Sequence, residues 1–369
     1  MNTRNIFVRL RAFGFGNQRV IPSLDGLRAI SIVFVLLGHL AQTRNFLQMN
    51  PNLTLAEFGV RVFFVISGYL ITSILLSELN RKGSISLPRF YFRRTMRLFP
   101  AAYVFAGVIA ALAASRLIHL ERWDIAFALT YTMDFNNSRA WSVGHLWSLA
   151  VEEQFYLLWP LTLKVLGPFR SRRFLMGVLV IAPFLRLASP WVDPAFNFFV
   201  WSDSLATGCL LALLRGELAS NATYSRILNS RWFFLVPTAA VLANYVPSTK
   251  LQWLFCATIM NICIGVTVDW AMRNSEGIVG RVLNYPAVSF VGVLSYSLYL
   301  WQQPFLNRGS SSPYCAFPLN IVLSVAAALA SYLLIESPFL RLRSAIERAR
   351  SNALRESARA ASAVESQVN

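Results

Sequence analysis

The chain has 369 residues, of which 56% are hydrophobic and only 14% charged, and its mean hydropathy is +0.49. A soluble domain carries about 25% charged residues, so this chain lacks the polar surface to dissolve itself and reads as an all-α, polytopic membrane protein. The net charge of +17 is read as basic loops gathered on one side of a bilayer, with no nucleic-acid partner.

The first twenty residues carry Arg4, Arg9, Arg11 and Arg19 without an apolar core that ends in a cleavage site, which predicts a cytoplasmic leader over 1–20. A transmembrane domain follows over 21–340, and a basic cytoplasmic tail over 341–369. Ten apolar segments are predicted: 27–43, 58–77, 99–118, 146–166, 174–188, 198–214, 232–246, 251–272, 287–305 and 317–335. With the N-terminus inside, alternate loops on the inner side hold 26 of the 34 Lys and Arg residues. So lopsided a split predicts both termini in the cytoplasm. The outer connection over 120–144 repeats Trp123, Phe127, Tyr131 and Phe135 at helical spacing, which predicts an interfacial or re-entrant helix. Four cysteines without ligand spacing and three histidines give no disulfide framework and no metal site.

Three clusters stand out because ionisable side chains are costly inside a membrane. In the first, Asp25, Arg28 and His39 share one helical face. At 1.5 Å per residue Arg28 lies roughly 16 Å, and Asp25 roughly 21 Å, from the histidine, so Asp25 pairs with Arg28 instead of orienting the ring. In the second, Arg93, Arg94 and Arg97 sit among Phe90, Tyr91, Phe92 and Phe99. This is either a stop-transfer cluster or a phosphate site, since guanidinium forks match phosphate oxygens. In the third, His145, Ser148, Glu152 and Tyr156 recur at i, i+3, i+7 and i+11, with Trp147 and Glu153 beside them. Adjacent glutamates a turn or two inside an apolar helix are hard to explain by packing or by the helix dipole. Glu57 with Arg61, Asp203, Asp269 and Glu336 are read as internal ion pairs that hold helices in register.

Six stretches in order resemble the acyltransferase-3 family of integral-membrane O-acyltransferases. They are Ile21–Ala29 with His39, Phe63–Ile71, Arg93–Pro100, His145–Tyr156, Ser295–Trp301 and Ile335–Phe339. The resemblance implies a ten-helix core in a bacterial inner membrane that takes an acyl group, commonly acetyl, from cytoplasmic acyl-coenzyme A. The acceptor it implies is a hydroxyl of a glycan or lipid-linked glycan, such as lipopolysaccharide O-antigen, exopolysaccharide or peptidoglycan. It makes His39 catalytic; by the logic of a triad, Glu152, ahead of Glu153, is expected to orient the imidazole and stabilise its cation. The resemblance places the donor on Arg28, Arg94 and Arg97, to which the clusters themselves add Asp25 and Arg93 on the donor side and His145, Trp147, Ser148 and Tyr156 on the acceptor side. Two positions depart from the family pattern: Gln302 stands where a histidine is common, and Trp201 where an arginine is. A transporter, its buried charges lining a permeation path, is the rival reading.

Overall fold

The computed structural model describes residues 21–47, 54–188, 197–245 and 252–368; the leader expected over 1–20 lies outside them. The main helices are α1 (Leu24–Leu40), α2 (Leu55–Lys82), α3 (Leu87–Ala114), α4 (Leu146–Ala188), α5 (Phe198–Ser220), α6 (Ala257–Arg273), α7 (Pro286–Gln302), α8 (Leu319–Ser331) and α9 (Ser337–Val368). No strand occurs among the described residues.

Five helices there are long and apolar enough to cross a membrane: Leu55–Lys82, Leu87–Ala114, Phe198–Ser220, Leu254–Arg273 and Leu319–Ala353. The ten-span expectation is therefore supported in its helical character and in half of its spans. The other segments are shorter or broken. Helices α1 and α7 have 17 residues each and pack on one another, with α2 on the far side of α1. Neighbouring helices shield them, so neither needs full membrane length. The segment over 232–246 contains a helix of only nine residues, Leu235–Ala243. Two predicted segments meet in α4, which is divided at Gly167 (φ 68°, ψ 170°) just before Pro168.

The basic tail expected over 341–369 lies in α9. A π turn over Tyr332–Glu336 joins α8 to α9 without a break. Pro338 has no N–H and its ring crowds the carbonyl four residues back, and the wider turn relieves both conflicts. The outer connection also differs from expectation. It holds a six-residue helix, Asp124–Leu129, and a 3-10 turn, Met133–Phe135. Tyr131 between them has φ 53°, which ends the helix, and its ring stacks on Phe99 at 4.9 Å. Asp124, fully buried, ties the connection together by accepting from the Glu121 and Ala140 backbone and from the Asn136 amide, at 2.8–3.1 Å.

Close packing of α2 on α5 relies on two glycines at one crossing. Gly68 on α2 faces the Leu205 carbonyl of α5, and Gly208 on α5 faces the Val65 carbonyl of α2; a Cβ on either would enter the other backbone. Small residues let membrane helices approach this way where lipid offers no hydrophobic drive. Beside this crossing lies a buried ionic network. Arg186 pairs with Asp203 and donates to the Thr258 hydroxyl at 3.2 Å, while Arg61 lies 4.1 Å over the Trp201 ring. Asp269 pairs with Arg273 at 2.8 Å. Asp203 and Asp269 are thus internal ion pairs, and Trp201 offers its ring face to Arg61. Glu336 differs: it accepts from the Ser297 hydroxyl and lies in the field of Arg97 and Arg28.

Candidate active site

Two cavities meet inside the bundle. The arginine cavity, ≈ 80 Å³, is lined by Arg28, Arg94 and Arg97 with Glu152, Ser67 and Tyr156. The histidine cavity, ≈ 390 Å³, is lined by His39, His145, Trp141 and Trp147, with Arg139 and Arg308. Val60 and Tyr299 line both. Helix α1 runs from one cavity to the other, with Arg28 near its start and His39 in its last turn. The eleven-residue spacing therefore separates two sites and does not build one.

In the arginine cavity, Arg28 donates to the Ser295 hydroxyl of α7 at 3.0 Å. Arg94 lies 4.9 Å over the Tyr156 ring and 5.8 Å over Phe90. Ring faces are its contacts; it makes no hydrogen bond among the described residues, so its N–H groups are available to an anion. Glu152 accepts from the Ser67 hydroxyl at 2.6 Å, and that hydroxyl accepts from Tyr156 at 3.3 Å. Arg28, Arg94 and Arg97 all act electrostatically on Glu152.

Several expected placements change. Glu152 is a carboxylate of the arginine cavity and does not orient His39; six residues into α4, it has descended too far from the histidine end. Glu153 points elsewhere, with one buried carboxylate oxygen unpartnered, and lines neither cavity. Arg93 turns away and pairs with Glu347 of α9. Asp25 does not line the arginine cavity; its backbone carbonyl packs against Gly292 and its charge acts on Arg28. Of the four expected acceptor residues, His145 and Trp147 line the histidine cavity, while Ser148 and Tyr156 line the arginine cavity.

The partner of His39 is Gln302, at 2.8 Å from Nδ1 to Oε1. An amide oxygen only accepts, so Nδ1 carries the proton and Nε2 is the ring's basic atom. Gln302 is held in turn: its Nε2 donates to the Gln303 side chain at 3.0 Å, and the Gln303 carbonyl accepts from Trp141 Nε1 at 3.0 Å. The Trp141 ring meets the His39 ring edge-on at 5.9 Å. The departure from the family's usual histidine thus supplies the imidazole's orienting group. Tyr299 fixes the wall between the cavities, donating to the His145 carbonyl at 2.7 Å and accepting from Ser148 at 2.5 Å. Ser67, Ser295 and Tyr299 lie inside the family-like stretches and were legible there as motif residues without a role. Trp141, Gln303 and Arg308 carried no sequence signal.

This is a helical membrane protein with a cationic cavity and a histidine cavity that share a wall. The acyltransferase domain profile matches residues 21–335, and the chain belongs to the acyltransferase-3 family of O-acyltransferases. It is 30% identical over 363 residues to the Bacillus subtilis protein named "Putative peptidoglycan O-acetyltransferase YrhL", covering 87% of this chain and 55% of that protein. It is also 30% identical over 367 residues to O-acetyltransferase OatA of Staphylococcus aureus, covering 87% and 57%. The chain thus spans little more than half the length of these curated relatives. No solved structure matches it significantly.

Proposed function

We propose that the chain moves an acetyl group from acetyl-coenzyme A, bound at the arginine cavity, to a hydroxyl of a cell-envelope glycan in the histidine cavity. The observation that carries this reading is the shared wall: Val60 and Tyr299 border a cavity with three guanidiniums on one side and a cavity with His39 on the other. The narrow cavity suits a slim thioester arm, with the donor's phosphates at the guanidiniums; the roomier one suits a sugar. The name of the YrhL relative makes peptidoglycan the first acceptor to try.

In this mechanism Nε2 of His39 takes the proton of the acceptor hydroxyl as its oxygen attacks the thioester carbonyl carbon. The new C–O bond forms, the C–S bond breaks, and the imidazolium returns its proton to the departing thiolate. Gln302 holds Nδ1–H throughout, so the ring keeps one tautomer and one orientation. An acyl-histidine relay would instead give ping-pong kinetics. The transporter reading gives no reason for a tautomer-fixed imidazole beside the arginine cavity. The bilayer is proposed to be the bacterial inner membrane, with the arginine end facing the cytoplasm.

The test is acetyl transfer from labelled acetyl-coenzyme A to envelope glycan by the full chain in membranes. His39→Ala should lower turnover by roughly 10²–10⁴-fold, the range of general-base catalysis, with donor affinity retained. The Arg94→Ala/Arg97→Ala double variant should weaken donor affinity tenfold or more, since a charge-assisted hydrogen bond contributes about 1.5–3 kcal/mol. Near-normal turnover without His39 sinks the proposal.

A further inference from the structure

A further cavity, ≈ 640 Å³, lies apart from the shared wall, at the arginine end of α1. It is bounded by the start of α1, the end of α6, the short helix Ile278–Leu283 and the chain over 228–237. Leu27 and Ile30 line it from α1, Phe233 and Phe234 from the connection after α5, and Trp270 from α6. It is a crevice open at the surface, since Ile30, Phe234 and Val279 border it and are 41%, 54% and 48% exposed. On a membrane protein, exposed apolar side chains gathered at one crevice mark a place where lipid sits.

The charge at the crevice is a second, independent feature. Thr267 and Asn274 turn their polar groups back to α6, donating to the Cys263 carbonyl at 2.7 Å and the Trp270 carbonyl at 3.0 Å. The ionisable side chain on the lining is Arg231, which is exposed. Its contact is the Trp232 ring face at 5.3 Å, and it makes no hydrogen bond or ion pair among the described residues. No acidic side chain lines the crevice among those residues. Apolar walls with one unanswered cation are the complement of an anionic amphiphile, and basic pockets between membrane helices hold acidic headgroups in this way. Residues 1–20 carry four arginines and no acid, so the chain's own leader lacks the charge that would answer Arg231.

We propose that the crevice holds an anionic phospholipid, its phosphate at Arg231 and an acyl chain along Leu27, Ile30 and Trp270. The lipid then braces the start of α1, where Leu27 faces the crevice and Arg28 the arginine cavity. The same turn is already fixed on the protein side: a Cβ on Gly26 would lie 2.3 Å from the Leu283 carbonyl oxygen, and the Ser23 N–H donates to Asn284 Oδ1 at 2.8 Å.

The test titrates the delipidated full chain in detergent with dioleoyl phosphatidylglycerol and with dioleoyl phosphatidylcholine, which has the same chains and no net charge. Native mass spectrometry reads the bound lipid, and thermal unfolding is followed on the same samples. Phosphatidylglycerol should bind tenfold or more tightly, the scale of one charge-assisted hydrogen bond, and should raise the unfolding temperature further, as a ligand of the folded state does. Arg231→Gln should erase both differences and Arg231→Lys keep most of them. Arg226→Gln, at an exposed position off the crevice, should leave them intact. Val279→Trp, which fills the crevice from an exposed position, should weaken both lipids. Equal binding of the two lipids overturns the inference, as does a preference that survives Arg231→Gln or falls as far with Arg226→Gln. Undiminished binding to the Val279→Trp variant places the lipid elsewhere and overturns it too. None of these measurements involves acyl transfer, so the site stands or falls apart from the proposed reaction.

Discussion

At the residue scale, the decisive contact is the hydrogen bond from His39 to Gln302. A neutral amide can fix the tautomer of the imidazole but cannot neutralise the imidazolium that the proposed mechanism forms in the transition state. In the proposed mechanism Gln302 is accordingly a positioning residue, and its effect should fall on turnover. Gln302→Leu removes the acceptor at similar volume and should lower kcat roughly ten- to hundredfold, the scale of a small misplacement of a reacting group. The donor KM should stay within about twofold. Gln302→Glu, which restores an acceptor oxygen, should recover part of the loss; equal loss in both variants would mean that the residue only packs. The sequence made His39 and the arginines visible, since helical spacing along one segment is simple arithmetic. It misassigned Glu152 because orienting groups are chosen by contacts between helices, and those are not encoded in the spacing of either helix.

At the element scale, two packing devices make separate predictions. Gly68→Val drives a side chain into the Leu205 carbonyl and should abolish the folded bundle or sharply lower its thermal stability in detergent. Gly107 is the control, because a Cβ there meets nothing within 4 Å. Gly107→Ala should be neutral, or stabilising by about 0.5–1 kcal/mol, from helix propensity alone. The other device is the outer connection. Burial raises the Asp134 carboxyl to about 6, partly opposed by the hydrogen bond from Gln154 at 2.8 Å. Since its folded-state value lies above the unfolded one, the fold favours the protonated acid, and that preference is lost as pH rises through about 6. Asp134→Asn should therefore match the parent only below about pH 4 and exceed it in thermal stability near pH 7. A stability difference that does not change with pH would remove Asp134 as the cause. The aromatic repeat suggested one helix here, but Tyr131 adopts a left-handed backbone to stack on Phe99, and tertiary packing overrides the local period. The joined α8 and α9 make the same point, since the segment expected to end at 335 runs on through a π turn into the helix that holds the basic tail.

At the scale of the whole molecule, the proposed reaction is divided between two ends of one helix. Residues 82, 93, 94 and 341–350 place basic side chains at the arginine end, and the positive-inside rule is the ground for proposing that this end faces the cytoplasm. Acyl-coenzyme A is charged and does not cross a bilayer unaided. The proposed geometry therefore requires donor and acceptor to arrive from opposite faces and meet only at the wall formed by Val60 and Tyr299. Sealed inside-out vesicles should use acetyl-coenzyme A added outside and place the label on a glycan trapped within. Sealed right-side-out vesicles should use the same donor poorly until they are permeabilised with detergent. A donor that works equally from both faces of intact vesicles would contradict the division, because one cavity would then admit both substrates. If sidedness is found but reversed, the two cavities keep their roles and the orientation drawn from the basic loops is wrong.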